Sequence, residues 1–191
     1  MRLYDFIESA IRSLFGGAPP ASVPETAAGA PEAPPSGPRQ PRQINRAGLD
    51  LIKAFEGLRL RAYQDSVGVW TIGYGHTRGV FPGQVITAAQ AEELLRGDLA
   101  LAEAEVDRDL AAAGWPYPGE ITDNEFAALV SFVFNLGGTE RHGAETPLRQ
   151  LLSHGIDQVP SQLPRWDHAG GVELAGLKRR REAEAELWRT A

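Results

Sequence analysis

Residues 55–77 read FEGLRLRAYQDSVGVWTIGYGHT, a stretch that holds a helix end, two carboxyls and a hairpin in succession. Just upstream, Leu49, Ile52 and Phe55 recur at helical spacing, and Glu56 falls on the same stripe, seven after Leu49 and four after Ile52. An acid on an apolar face is expected to lose solvation. That disfavours the charged form and raises the pKa toward what a proton donor needs near neutral pH. Asn45 is the predicted N-cap of this helix and Gly57 its predicted stop. Asp65 lies instead in a polar, Gly-punctuated turn before the β-rich run Val69, Trp70, Thr71, Ile72, where it is expected to be solvated and ionised. Two carboxyls in contrasting environments suit cleavage of a glycosidic bond. One protonates the leaving oxygen while the other handles a water or the sugar cation. Thr71 is expected on the strand facing this space, its hydroxyl able to help hold that water. A helix-terminal surface Glu and an ordinary turn Asp are the plainer alternative for the same spacing.

Taken together, Glu56, Asp65 and Thr71 within this string resemble the catalytic segment of the bacteriophage-type lysozymes, the endolysin family of peptidoglycan muramidases. The resemblance continues through Thr122-Asp123-Asn124-Glu125-Phe126, Phe132-Val133-Phe134-Asn135-Leu136-Gly137, Arg165-Trp166 and Ala169-Gly170-Gly171, and closes on Gly176-Leu177-Lys178-Arg179-Arg180-Arg181-Glu182-Ala183-Glu184. It covers roughly residues 44–191. It implies Glu56 as the acid, Asp65 as the residue that places the water and Thr71 beside them, with Thr77, Phe134 and Asn135 as substrate-binding residues of the cleft. It also implies a mainly α (α+β), two-lobed fold: a small β-hairpin lobe, a long connecting helix and a helical C-terminal lobe. The implied reaction is hydrolysis, with inversion, of the β-1,4 bond between N-acetylmuramic acid and N-acetylglucosamine in peptidoglycan.

The composition is compatible with that chemistry. At 42% hydrophobic and 23% charged residues, a chain of 191 can bury a sizeable core. A formal net charge of −6 argues against nucleic acid as the main partner, since that would need a dominant basic surface. There is no cysteine, and the four histidines, His76, His142, His154 and His168, show no ligand spacing, so neither disulfide nor metal is expected, and no cofactor is called for. The run of bases from Lys178 to Arg181 sends its members to different faces of a helix. Ion pairs with Glu182, Glu184 and Glu186 are its expected role, with one of the arginines reaching the cleft.

Three segments are expected. Residues 1–15 form an amphipathic helix with Leu3, Phe6, Ile7, Ala10, Ile11, Leu14 and Phe15 on one stripe. It suits docking on a protein partner or lying on a membrane surface, and acids interrupt it too often for a signal peptide or a span. Residues 16–43 carry eight of the fourteen prolines and read as a linker. Residues 44–191 form the lysozyme-like catalytic domain. The expectation is synthesis in a host cytoplasm without a signal peptide and action on the cell wall, in the periplasm, after release or delivery, virion association included.

Within the domain, Thr87 and Gln90 form a capping box for a helix from Ala88 to about Ala112, striped by Leu95, Leu99, Ala102, Val106 and Leu110. A second box, Thr122 with Glu125, opens a run apolar nearly all round and therefore buried. Thr146 and Pro147 start another helix, expected to stop at Gly155. The last helix is expected from about Ala175 to Trp188. The family resemblance also implies that His76 pairs with Asp98 of the long helix, and Trp115 is expected to plug the core beneath a loop.

Overall fold

The first helix among the described residues, α1 (Arg46–Glu56), begins and ends where the sequence places it. Asn45 is extended and its side chain accepts the Gly48 N–H at 2.9 Å, while Gly57, at φ 69°, closes the last turn in a conformation that other residues resist. This is a computed structural model describing residues 41–65, 68–115, 121–138 and 142–190. The predicted helix over 1–15 and residues 16–40 of the linker lie outside the described residues.

From Gly57 the chain enters β1 (Arg59–Gln64), which pairs antiparallel with β2 (Trp70–Gly73). Register runs Tyr63 to Thr71 and Gln64 to Trp70, with an irregularity between Arg59 and Tyr63. The following segment is stitched back to β1: Ala62 N–H donates to Gln84 O and Ile86 N–H to Leu60 O, both at 2.9 Å. Ala62, Ile72, Ile86 and Ala91 form the small core of this lobe.

The spine is α2 (Ala88–Ala112), capped by the Thr87–Gln90 box in both directions. Its stripe of Leu95, Leu99, Ala102, Val106 and Leu110 is buried in the larger core. That core is centred on α3 (Asp123–Leu136), whose residues from Phe126 to Val133 are all buried, as an all-round apolar helix requires. Helices α1, α2 and the last helix, α6 (Ala175–Arg189), all pack on α3. Between α3 and α6 lie α4 (Pro147–Leu152), α5 (Val159–Gln162) and the two-residue strands β3 (His168–Ala169) and β4 (Val172–Glu173), joined through Gly170-Gly171. Thr146 caps α4 with Pro147 in its first turn, but the helix ends at Leu152, before Gly155, because Ser153 already closes it onto Arg149 O. The result is the mainly α, two-lobed α+β architecture expected, with the hairpin lobe and the helical lobe joined by α2.

One detail bears on the expected start of the domain. Arg42, assigned from sequence to the linker, is 6% exposed. Its Nη2 donates to Ile121 O at 3.2 Å and to Asp123 Oδ1 at 2.8 Å, and its guanidinium lies 4.5 Å from the Phe126 ring centroid. Packing therefore begins at least two residues before residue 44. A half-buried Trp115 packs on the core as expected. No helix among the described residues is long and apolar enough to cross a membrane, and these residues contain no cluster suited to a metal ion.

Candidate active site

Glu56 is the last residue of α1, and its side chain is 11% exposed. Its environment differs from the apolar pocket expected from sequence. Arg180 of α6 reaches across the core and donates from Nη1 to Glu56 Oε1 at 2.8 Å. Arg180 also pairs with Glu184 at 3.3 Å and donates to Ser131 O at 3.3 Å, and its guanidinium sits 5.6 Å from the Phe55 ring centroid. Arg181 is fully buried over the Phe132 ring and bonds Glu184 at 2.8 Å and Asn135 Oδ1 at 3.0 Å. Two guanidiniums thus face two carboxylates, Glu56 and Glu184, in a charge-balanced interior network. Balance is what allows ions this buried to persist.

Asp65 follows β1 and holds the hairpin turn. Its N–H donates to Val69 O at 3.0 Å while its Oδ1 accepts the Val69 N–H at 2.8 Å, and Gly68 N–H returns to Asp65 O at 3.1 Å. Thr71 faces inward from β2, fully buried, and its hydroxyl donates to Val69 O at 3.1 Å. Both residues therefore converge on Val69, and both belong to the lobe that begins immediately after Glu56.

Thr77 and Phe134 both line a cavity of about 530 Å³, which Asp98, Ala102 and Glu105 of α2 also line. Asn135 is not brought to that cavity. It is 3% exposed and faces Arg181.

Further contacts set the lobes against each other. His76 Nδ1 lies 2.9 Å from Asp98 Oδ2, and its Nε2 lies 2.8 Å from Arg78 O, so each ring nitrogen faces an acceptor. Lys53 of α1 is ion-paired with Glu92 of α2, and Tyr74 donates to Glu92 Oε1 at 3.2 Å. The Lys53 ammonium holds the Glu92 carboxyl below its ordinary range, and burial pushes the Tyr74 hydroxyl above its own.

The choice of Arg180 as the partner of Glu56 was not legible in the sequence, where any of three arginines qualified. The signal present was the i, i+4 spacing of Arg180 and Glu184, which fixes one side of the guanidinium. Arg78, Glu105 and Arg108, which also line the cavity, carried no motif of their own.

A two-lobed α+β domain with an acid at the end of its first helix, an Asp-closed hairpin and a cavity along the connecting helix has the build of a carbohydrate-cleaving domain. Residues 53–184 match the phage lysozyme family model, and the chain belongs to that family. It is 38% identical over 152 residues to an endolysin of Acyrthosiphon pisum secondary endosymbiont phage 1, covering 78% of this chain and 99% of that one. It is 40% identical over 151 residues to the endolysin of Bacillus phage PZA, covering 76% of this chain but only 55% of that protein. Among solved structures, the muramidase domain of SpmX from Asticaccaulis excentricus is similar at TM-score 0.62 and 37% identity, over 78% of this chain and 99% of that one.

Proposed function

We propose that the chain is a muramidase that hydrolyses the β-1,4 bond between N-acetylmuramic acid and N-acetylglucosamine in bacterial peptidoglycan. Family membership and the names of its relatives support the class. The observation that carries the assignment is Glu56, an almost buried carboxyl at a helix end, steered by Arg180 and followed directly by the hairpin of Asp65 and Thr71. In this reading Glu56 is the proton donor, Asp65 orders the attacking water, and Thr71 stands beside them. Thr77 and Phe134 contact the glycan, and Asn135 acts on it only by fixing Arg181. Water attack on the opposite face inverts the anomeric centre.

Glu56→Gln keeps size and hydrogen bonding while removing the transferable proton. The expected result is loss of wall hydrolysis with an unchanged fold, read by release of muropeptides with reducing muramic acid ends. More than a tenth of the wild-type rate in this variant would sink the acid assignment. Proton NMR of the first-formed reducing end tests the stereochemistry independently: an α anomer is expected, and a β anomer accumulating first would mean retention.

The proposed site of action is the cell wall, reached from a host cytoplasm by release or delivery. Residues 1–15 are proposed to dock the enzyme on a protein partner through Leu3, Phe6, Ile7 and Ile11. Phe6→Asp with Ile11→Asp is expected to abolish co-purification with that complex. Survival of the association would remove the docking role.

A further inference from the structure

Among the described residues, the cavity between the lobes has an unequal charge inventory. Two of its acids are matched: Asp98 holds His76 at 2.9 Å, and Glu105, its side chain 9% exposed, is ion-paired with Arg108 one turn along α2. Glu105 lies where it does because residue 138 is glycine. A Cβ there would stand 2.7 Å from the Glu105 carboxyl carbon, closer than atoms tolerate. Arg78 remains. It lines the cavity beside Thr77, and among the described residues its guanidinium has no ion pair. Its main chain is pinned, because its carbonyl oxygen accepts from His76 Nε2 at 2.8 Å, so the side chain starts from a fixed point on the cavity wall. Among the described residues Arg78 is the cavity-lining cation without an ion pair, and it is exposed, so its guanidinium can meet an anion from outside the protein.

We propose that Arg78 is a specificity-determining residue that takes a carboxylate on the peptide side chains of the glycan strand bound in this cavity. The proposal rests on the muramidase reading for the identity of the strand. The glycan itself offers neutral hydroxyls and acetamides at its repeating sugars, while the free carboxylates lie on the attached peptides. A planar fork of N–H donors is suited to carboxylate rather than to a hydroxyl. Arg78 is exposed, so such a contact acts on binding more than on the chemical step and weakens with salt.

The test compares strands that differ only in charge: soluble peptide-bearing strands, and the same strands with their carboxyls converted to methylamides by carbodiimide coupling. Wild type is expected to lose about tenfold in kcat/KM on the amidated strands, mostly in KM, as expected for one charge-assisted hydrogen bond. Arg78→Gln is expected to show that loss already on the native strands and to be no worse than wild type on amidated ones. Arg78→Lys should recover most of the difference. Equal effects of Arg78→Gln on both strands, or none on either, would overturn the assignment. Calorimetric titration of the Glu56→Gln protein, with and without Arg78→Gln, makes the same comparison without turnover. Absence of cleavage would therefore count against the muramidase reading alone, and binding that fails to distinguish the strands would count against Arg78.

Discussion

Arg180 holds the proposed acid and a fully buried Glu184 with one guanidinium, so its removal strands charge at both ends. Arg180→Gln is expected to destabilise the fold by about 3 kcal/mol, toward the lower bound for breaking a buried pair because Glu56 keeps some access to water. Urea unfolding measures that cost, and a loss under about 1 kcal/mol would show that the network relaxes around the gap. Glu56→Gln should differ clearly from it. The amide oxygen still accepts from Arg180, so stability is expected to stay within about 1 kcal/mol of wild type while turnover disappears. The two variants separate a residue needed for chemistry from one needed for placement.

At the scale of elements, Gly48 shows packing overruling propensity. It sits inside α1, where alanine would favour the helix by about 1 kcal/mol. A Cβ there would stand 2.6 Å from Ala127 Cβ on α3 and 2.8 Å from Ile44. Helix backbones do not separate at one point without loosening their neighbours, and overpacking of this kind costs about 1–3 kcal/mol. Gly48→Ala is therefore expected to lower the melting temperature, and a rise would mean that α1 is free to shift. The same segment is held by α2 through two acids. Glu103 Oε1 accepts the Ile44 N–H at 2.8 Å, and Asp107 accepts from the Arg42 backbone. Burial raises both carboxyls above their ordinary range, opposed in each case by the amide they accept from. Between the ordinary and the raised values the folded chain binds more protons than the unfolded one, so stability falls as pH climbs through that window. Glu103→Gln with Asp107→Asn keeps both acceptors and removes both charges. The double variant should melt above wild type at pH 7, with the advantage gone by about pH 3, where both states of the wild type are protonated. A double variant that melts below wild type at pH 7 would show that Asp107 contributes more through the Arg42 charge than burial costs.

For the whole molecule, the chain entry is part of the fold. Arg42 bonds Ile121 O and Asp123 and lies over Phe126. A chain that begins at Pro41 is expected to keep this anchor, while one that begins at Ile44 should lose about 2 kcal/mol, the order of a buried charged hydrogen bond plus a cation–π contact. Equal melting temperatures for the two truncations would show Arg42 to be a passenger. The lobes are unequal in a way that bears on the cavity. The hairpin lobe buries Ala62, Ile72, Ile86 and Ala91, whereas the helical lobe is built around the whole of α3. Contacts from His76 and Tyr74 to α2 therefore matter more to the small lobe than their individual strengths suggest.

The sequence by itself determined the long helices and most of their ends, though not the early stop of α4 at Leu152. Capping boxes at Thr87 and Thr122, the Asn45 cap, Gly57 and the stripe on α2 are local signals, because each helix end must satisfy its own backbone groups within a few residues. It also determined the candidate site as far as one contiguous motif carries it: Glu56, Asp65 and Thr71 lie within a single helix–hairpin unit. The pairing of residues distant along the chain was decided by the tertiary structure. Which arginine meets Glu56, why Asn135 turns toward Arg181 and away from the cavity, and why Arg42 belongs to the domain all depend on how helices from different parts of the chain approach one another. A helical period assigns a residue to a face, and only the packing of α1, α3 and α6 decides what that face meets.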